Sequence, residues 1–490
     1  MEKRLDLPSS SRQIRKADLT KRLIWITVVS CLLSMHFGYN FWVSYSITVL
    51  QDNPYNITID GFSYQSEAMV AIAIGVFPFG GIFGATVSAC LTDRIGRKGT
   101  LLLANFLSLI SALFMASSHL IGPFEYIIFA RMYTGMCAGM ASTSVPLYLG
   151  EISPRSRRGG VVMMPHFFLI LGVLLAQILA LKHLLGTPKG WPTLMGLAGV
   201  MPLSQSVLLP FFPESPRYIL IQKKNERKAR EALQMLRGKD DVDDEIQELC
   251  QEDIAEKADK RMSMLKLIKK RNMRWHLITV VVVMTAQQLS GTNAVYFYSE
   301  RIFKSTVLKD EAIAYVSIAT TAVTSCSTFL GIYLVDSLGR RVLLLMGYLA
   351  CAIFLVLTVM SMELQKSMEW MSYITGGLIS AFLLSHAFGP YPIPYLIVTE
   401  LFLQSSRSSA YMIAGILEWL LNFITAVSYI HVARVLGAFS ILFYFPVCVC
   451  CFVYIFNVFP ETKNRTFVDI KRLMAIQTSK KVKVKQAASK

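Results

Sequence analysis

Apolar residues in this chain fall in long runs, not at the spacing of a half-buried helix or strand, and short charged clusters separate one run from the next. Twelve such runs lie near 23–43, 67–91, 99–118, 122–148, 159–183, 191–212, 275–300, 311–335, 341–361, 370–397, 406–431 and 435–459. Each approaches the ~20 residues that a helix needs to cross ~30 Å of hydrocarbon. The pattern predicts an all-α membrane protein with twelve transmembrane helices. A basic stretch precedes the first run and no small-residue cleavage site stands out after it, so the run reads as a retained helix and not a signal peptide.

The clusters between the runs occur twice, in the same order. Asp93-Arg94-Ile95-Gly96-Arg97-Lys98 returns as Asp336-Ser337-Leu338-Gly339-Arg340-Arg341, an offset of 243. Glu151, seven residues before Arg158, returns as Glu400, seven before Arg407, and Pro213-Glu214-Ser215 returns as Pro460-Glu461-Thr462. Two six-helix halves related by duplication produce such a pattern. Parallel repeats of this kind carry substrate at their interface near the bilayer midplane. The predicted organisation is a cytoplasmic tail at 1–22, a first half at 23–212, a cytoplasmic helical connector at 213–274, a second half at 275–459 and a cytoplasmic tail at 460–490.

Composition agrees with the runs. Hydrophobic residues make up 53% of the chain and charged ones 17%, against about 25% charged in soluble domains, and mean hydropathy is +0.47. A net charge of +17 suggests nucleic acid until its distribution is considered. Residues 1–22 carry seven Lys/Arg against three acids, 213–274 sixteen against thirteen and 460–490 nine against two, whereas 44–66 carries no Lys or Arg. That asymmetry is the positive-inside pattern, with both termini and the connector in the cytoplasm. The basic 480–485 stretch then lies near anionic lipid. The nine cysteines fall mostly inside the runs and read as small buried hydrophobes, not metal ligands. Asn56 opens a glycosylation sequon in the sizeable outward loop, while the sequon at Asn464 falls on the cytoplasmic side. No nucleotide-binding loop, nucleophile elbow or zinc signature is present. The chain is expected to be no enzyme, to hold no cofactor or metal and to need no obligate protein partner; transport would run on a gradient.

Two kinds of position carry candidate chemistry. Asp93, Arg94, Arg97, Glu151, Arg158, Glu214 and Arg217, with Asp336, Arg340, Arg341, Glu400 and Arg407, stand at cytoplasmic helix ends. They read either as topology-setting charge or as a latch of ion pairs that holds one conformation. Inside the spans, polar groups cost free energy unless they face the bundle interior. Gln287, Gln288 and Asn293 offer uncharged donors and acceptors that suit a polyhydroxyl ligand. Gly389, Pro390, Pro392 and Pro394 must interrupt the tenth helix, which is tolerated where a helix lines a cavity or bends as a gate. Trp419 offers a flat apolar face to a sugar ring, although a lone tryptophan is more often core.

These residues, with Gly38-Tyr39-Asn40, Arg131–Gly135, Val145–Glu151 and Pro460–Lys463, resemble the facilitative hexose transporters of the major facilitator superfamily over nearly the whole chain. His386 with Leu401–Arg407 is most similar to the fructose-transporting branch. The resemblance implies the major facilitator fold, alternating access and uncoupled hexose transport, fructose first and glucose second, in the plasma membrane. It implies that Gln287, Gln288 and Asn293 bind the sugar, with His386 and Trp419 near it. Four positions depart from the family: His166 replaces a sugar-contacting glutamine, Glu418 replaces histidine or asparagine, Thr324 replaces an asparagine, and Tyr395 replaces a tryptophan or small residue. His166 and Glu418 either tune sugar selectivity or redirect the site to another small solute such as an organic anion; a transport-impaired relative is the further alternative. Glu418 could also couple protons, against which the first span lacks an acidic residue.

Overall fold

The apolar runs become helices in the computed structural model, which describes residues 20–49, 63–121, 124–187, 189–257, 263–270, 273–296, 310–365, 367–368, 370–463, 465 and 470. Asn56, Asn464 and most of both tails lie outside the described residues. Among the described residues, ten stretches are long and apolar enough to cross a membrane. The two runs missing from that set are helical as well. The fourth, Phe124–Ile152, carries Glu125, Arg131 and Glu151 within its 29 residues. In the seventh, Arg274–Gln288 is interrupted at Leu289–Gly291 before helix resumes at 292–296. The architecture is that of twelve spanning segments.

Helices extend past the apolar runs where capping allows. The second span runs Ser63–Arg94, the third Arg97–Ile121, the eighth Asp310–Leu338 and the ninth Arg340–Leu364. Gly96 (φ +89°) and Gly339 (φ +93°) make the two reversals between them. Both sit in a backbone region that costs a side-chain-bearing residue about 1–2 kcal/mol. The tenth span is two helices, Met371–Phe388 and Ile393–Leu401, joined by a turn at Gly389–Pro392. Prolines 390 and 392 have no N–H to continue the ladder, and the chain closes the turn with Tyr391 N–H donating to the His386 carbonyl at 3.1 Å.

Outward-facing side chains on the spans, such as Phe106, Leu113, Phe211, Phe329 and Tyr333, are more than half exposed, as lipid-facing surface requires. Between the halves, the eleventh span (Gln404–Leu436) packs on the second and fourth, and the eighth on the fifth (Arg158–Leu179). The connector folds as helices Glu226–Arg237, Asp243–Lys257 and Met264–Lys269. Its first helix is capped by Asn225 and stopped by Gly238 at φ +62°, and its apolar face closes over Leu220, Ile221, Val242, Ile246 and Leu249.

Candidate functional site

The duplicated clusters build the same device twice. Arg97, fully buried, holds Glu151 at 2.9 Å and Asp93 at 3.8 Å. Its counterpart Arg340 holds Glu400 at 2.8 Å and Asp336 at 3.5 Å. Each glutamate also accepts from a hydroxyl of the third motif: Ser215 on Glu151 Oε2, an oxygen it shares with Arg97, and Thr462 on Glu400 Oε2, the oxygen Arg340 leaves free. Glu214 caps the third span by accepting from the Arg97 and Lys98 N–H groups, and Glu461 caps the ninth through Arg340 and Arg341. A carboxylate there also meets the positive end of the helix dipole. Burial, the largest influence on Glu214, raises its carboxyl above the ordinary value despite the lowering pull of those N–H groups.

Some of these residues reach across the halves. Arg407 stands 3.7 Å from Glu151 and 3.7 Å from Glu252 of the connector. Arg217 holds Glu252 from the other side at 2.5 Å. Burial works to lower the Arg217 pKa, but Glu252, Glu248 and Glu151 overcome it and the value is raised. Asp93 accepts from Ser408, 2.7 Å, and Asp336 accepts from the Gly160 N–H, 3.1 Å. The end of the bundle that carries these clusters is therefore closed by contacts between halves. Three expected members stand apart. Arg94 is exposed and contributes only its carbonyl, to the Tyr218 hydroxyl. Arg341 donates its guanidinium to the Phe456 carbonyl, not to a carboxylate. Arg158 is buried, yet its Nε and Nη2 have no hydrogen-bond acceptor. Glu252 and Ser408 were not singled out by sequence: one acid in the 240–259 run looks like the next, and a serine after an arginine carries no signal.

Between the halves, further into the bundle, a cavity is lined by residues of both, including Phe37, His166, Asn293, Tyr296, His386, Tyr391 and Asn422. Among the described residues, no Lys, Arg, Asp or Glu lines it. It is small, about 30 Å³ to the centres of water-sized spheres, or room for about two waters. Two imidazoles flank one phenol there: the His166 ring lies 3.9 Å from that of Tyr391, and His386 lies 5.6 Å from it. The broken seventh span brings its polar cluster to this wall. Gln287 Nε2 donates to the Tyr391 carbonyl at 2.6 Å, and Asn293 donates to Gln288 Oε1 at 2.5 Å. His386 Nε2 lies 3.2 Å from the Gln287 carbonyl and 2.9 Å from Ser290 Oγ. A carbonyl only accepts, so Nε2 carries the proton. Gln287 Oε1, Gln288 Nε2 and Asn422 Oδ1 are left buried without partners, a costly state that a hydroxylated ligand relieves.

Of the residues expected around a ligand, His166, Asn293 and His386 line the cavity, and Gln287 and Gln288 are bonded to its walls. The structure places Trp419 and Glu418 behind it. Trp419 is 0% exposed, 5.2 Å from Phe37 and 5.8 Å from Phe77 ring to ring, with Nε1 donating to Ser142 Oγ at 3.0 Å. Gly81 makes room for it, since a Cβ there would lie 2.1 Å from the indole. Glu418 accepts from the Tyr395 hydroxyl. Thr324 returns its hydroxyl to the Thr320 carbonyl of its own helix. Of the proline segment, Gly389 and Pro392 flank the turn and Pro394 opens its second helix. Asn422 was not foreseen, although a polar residue one turn after Glu418 in an apolar span was a usable signal.

The profile of the family described as "Sugar (and other) transporter" matches residues 26–474. Human "Solute carrier family 2, facilitated glucose transporter member 5" is 40% identical over 474 residues, covering 95% of each chain. Human member 7 of the same series is 39% identical over 463 residues, covering 92% of this chain and 90% of that one. Among solved structures, a proton:xylose symporter of the major facilitator superfamily, bound to 6-bromo-6-deoxy-D-glucose, superposes with a TM-score of 0.82. It is 21% identical and covered over its full length by 94% of this chain, which shows the fold. The family and these relatives are transporters, not enzymes.

Proposed function

The chain belongs to the sugar (and other) transporter family, and on that premise we propose that it is a facilitative, gradient-driven hexose carrier, fructose first and glucose second. One observation carries the reading: an uncharged cavity between the halves, lined by Asn293 and Asn422 with Gln287 and Gln288 bonded to its walls, beside which the Gln287, Gln288 and Asn422 amides each keep an unengaged donor or acceptor. Sugar hydroxyls supply both roles at once and bring no charge into the low-dielectric interior. The similarity to facilitated glucose transporter members 5 and 7 supports hexose; His386 with Leu401–Arg407 supports fructose.

In this reading, Arg97, Glu151, Arg217, Arg340, Glu400 and Arg407, with Asp93, Asp336 and the capping glutamates 214 and 461, hold the cytoplasmic side shut while the Gly389–Pro394 break bends as a gate. The cavity is smaller than a hexose, so entry requires His166 and Tyr391 to part. The halves are 23–212 and 275–459, with the connector cytoplasmic, the protein in the plasma membrane among its lipids and Asn56 glycosylated outside. Two histidines at the cavity give the organic-anion alternative its support.

The test is uptake of labelled fructose and glucose into liposomes holding the purified protein, with and without a pH gradient. Saturable fructose entry that stops at equilibrium and changes little with the gradient is expected. Uphill accumulation driven by the gradient would replace the uniport reading with proton coupling.

A further inference from the structure

We propose that Glu418 is a positioning residue, not a sugar ligand: with Tyr395 it splints the broken tenth span to the eleventh beneath the cavity. The inference rests on the reading of that cavity as the substrate site.

Position along the helices places the pair. Tyr391, one turn before Tyr395, lines the cavity, and so does Asn422, one turn after Glu418. Arg407 lies eleven residues back from Glu418 along an uninterrupted helix, about 16 Å at 1.5 Å per residue. The pair therefore stands between the cavity and the charged clusters of the cytoplasmic end. Glu418 is 2% exposed and, among the described residues, no basic side chain pairs with it. It belongs to neither the ligand wall nor the ion-pair network.

Tyr395 is itself held in place. Its ring stacks on Tyr411 at 5.7 Å and 22°, and the Tyr411 hydroxyl is 2.6 Å from Thr399 Oγ1, one turn further on. The phenol is thus aimed at Glu418 by two elements of the same half. The opposite half enters through Ser142, which accepts from the neighbouring Trp419 and also hydrogen-bonds with the Glu418–Tyr395 pair. Opening toward the cytoplasm carries Ser142 away with the fourth span. The Tyr395–Glu418 bond lies wholly within the second half and can survive that motion, keeping Tyr391, and the Gln287 bond to its carbonyl, in register.

The chemistry makes a distinctive mutational pattern. Glu418→Gln keeps an oxygen that accepts from the phenol. Tyr395→Phe removes the donor and leaves a buried carboxylate with less solvation, the more damaging change. Tyr395→Phe with Glu418→Met removes both partners, which is often close to neutral. We expect the glutamine variant to retain most hexose uptake. The phenylalanine variant should lose about tenfold in maximal rate with KM little changed, and the double variant should recover most of that loss. Amide hydrogen exchange of Ile393–Leu401, measured without sugar, should quicken in Tyr395→Phe and return toward wild type in the double variant.

A glutamine variant whose main defect is a raised KM would make Glu418 a ligand and overturn the proposal. So would a double variant worse than either single one, or a Tyr395→Phe protein with unchanged kinetics and exchange. If the wild-type protein carries no hexose, the functional reading fails by itself, and the exchange measurement still decides whether the splint exists.

Discussion

Glu151 of the fourth span and Arg407 of the eleventh stand 3.7 Å apart, although 256 residues separate them and they belong to different halves. Arg97 holds the same glutamate from within its own half. A carboxylate shared in this way ties the integrity of one half to the closure of both. Arg407→Met leaves the Arg97–Glu151 pair intact and cuts only the crossing contact. It is expected to shift the protein toward a cytoplasm-open state by about tenfold, read as faster exchange of the fifth and eleventh spans at their cytoplasmic ends. Unchanged exchange would remove Arg407 from the latch.

Arg158 should behave in the opposite sense. Its Nε and Nη2 are buried without acceptors, and the cations Arg217 and Arg407 as well as the acids Glu400 and Glu252 lie within its electrostatic reach. A buried cation whose N–H groups lack acceptors destabilises the state that contains it. Arg158→Met is therefore expected to stabilise this closed conformation, raising the melting temperature in detergent while slowing net uptake. A drop in both would mean that the guanidinium has a partner here.

Under the proposed function, Asn422→Ala and Gln287→Ala each delete one amide available to the sugar at the cavity. Losses of about 1–3 kcal/mol are expected, appearing as a raised KM for hexose entry. Gln287→Ala should be the worse of the two, because it also frees the Tyr391 carbonyl. Equal transport by both variants and wild type would place the substrate elsewhere.

His166 lines the cavity with its ring against Tyr391. His166→Gln exchanges a flat ring for a flexible amide and is expected to lower KM for fructose severalfold. Direct sugar binding measured by titration calorimetry separates this effect from a change in turnover. A raised KM would instead show that the imidazole is part of the recognition surface.

The span count and the paired clusters were legible in sequence for one reason. Charge is scarce in an apolar chain, so where it persists it marks helix ends, and its repetition marks duplication. What sequence could not supply was facing. Trp419 and Asn422 lie on the same helix and are nearly adjacent, but one is sealed against Phe37 and Phe77 while the other lines the cavity. A span that is apolar all round has no polar face to orient it. The same blindness hid the division of labour among the arginines. Arg97 and Arg340 are locked inside their halves, Arg407 crosses, Arg341 turns to a carbonyl and Arg158 finds no acceptor, yet all five look alike as letters. His166 and His386 were named from the family resemblance, whereas Tyr391 and Asn422, which share the cavity with them, emerge only from its lining.

A floor made of interlocked guanidinium and carboxylate groups lies under a chamber with space for about two waters, and such a floor is expected to interrupt any file of water through the molecule in this state. Ions and protons would then have no wire to follow. The membrane that houses this protein can hold many copies of it without discharging its voltage, and a patch-clamp record across such a membrane should stay electrically silent while solute crosses.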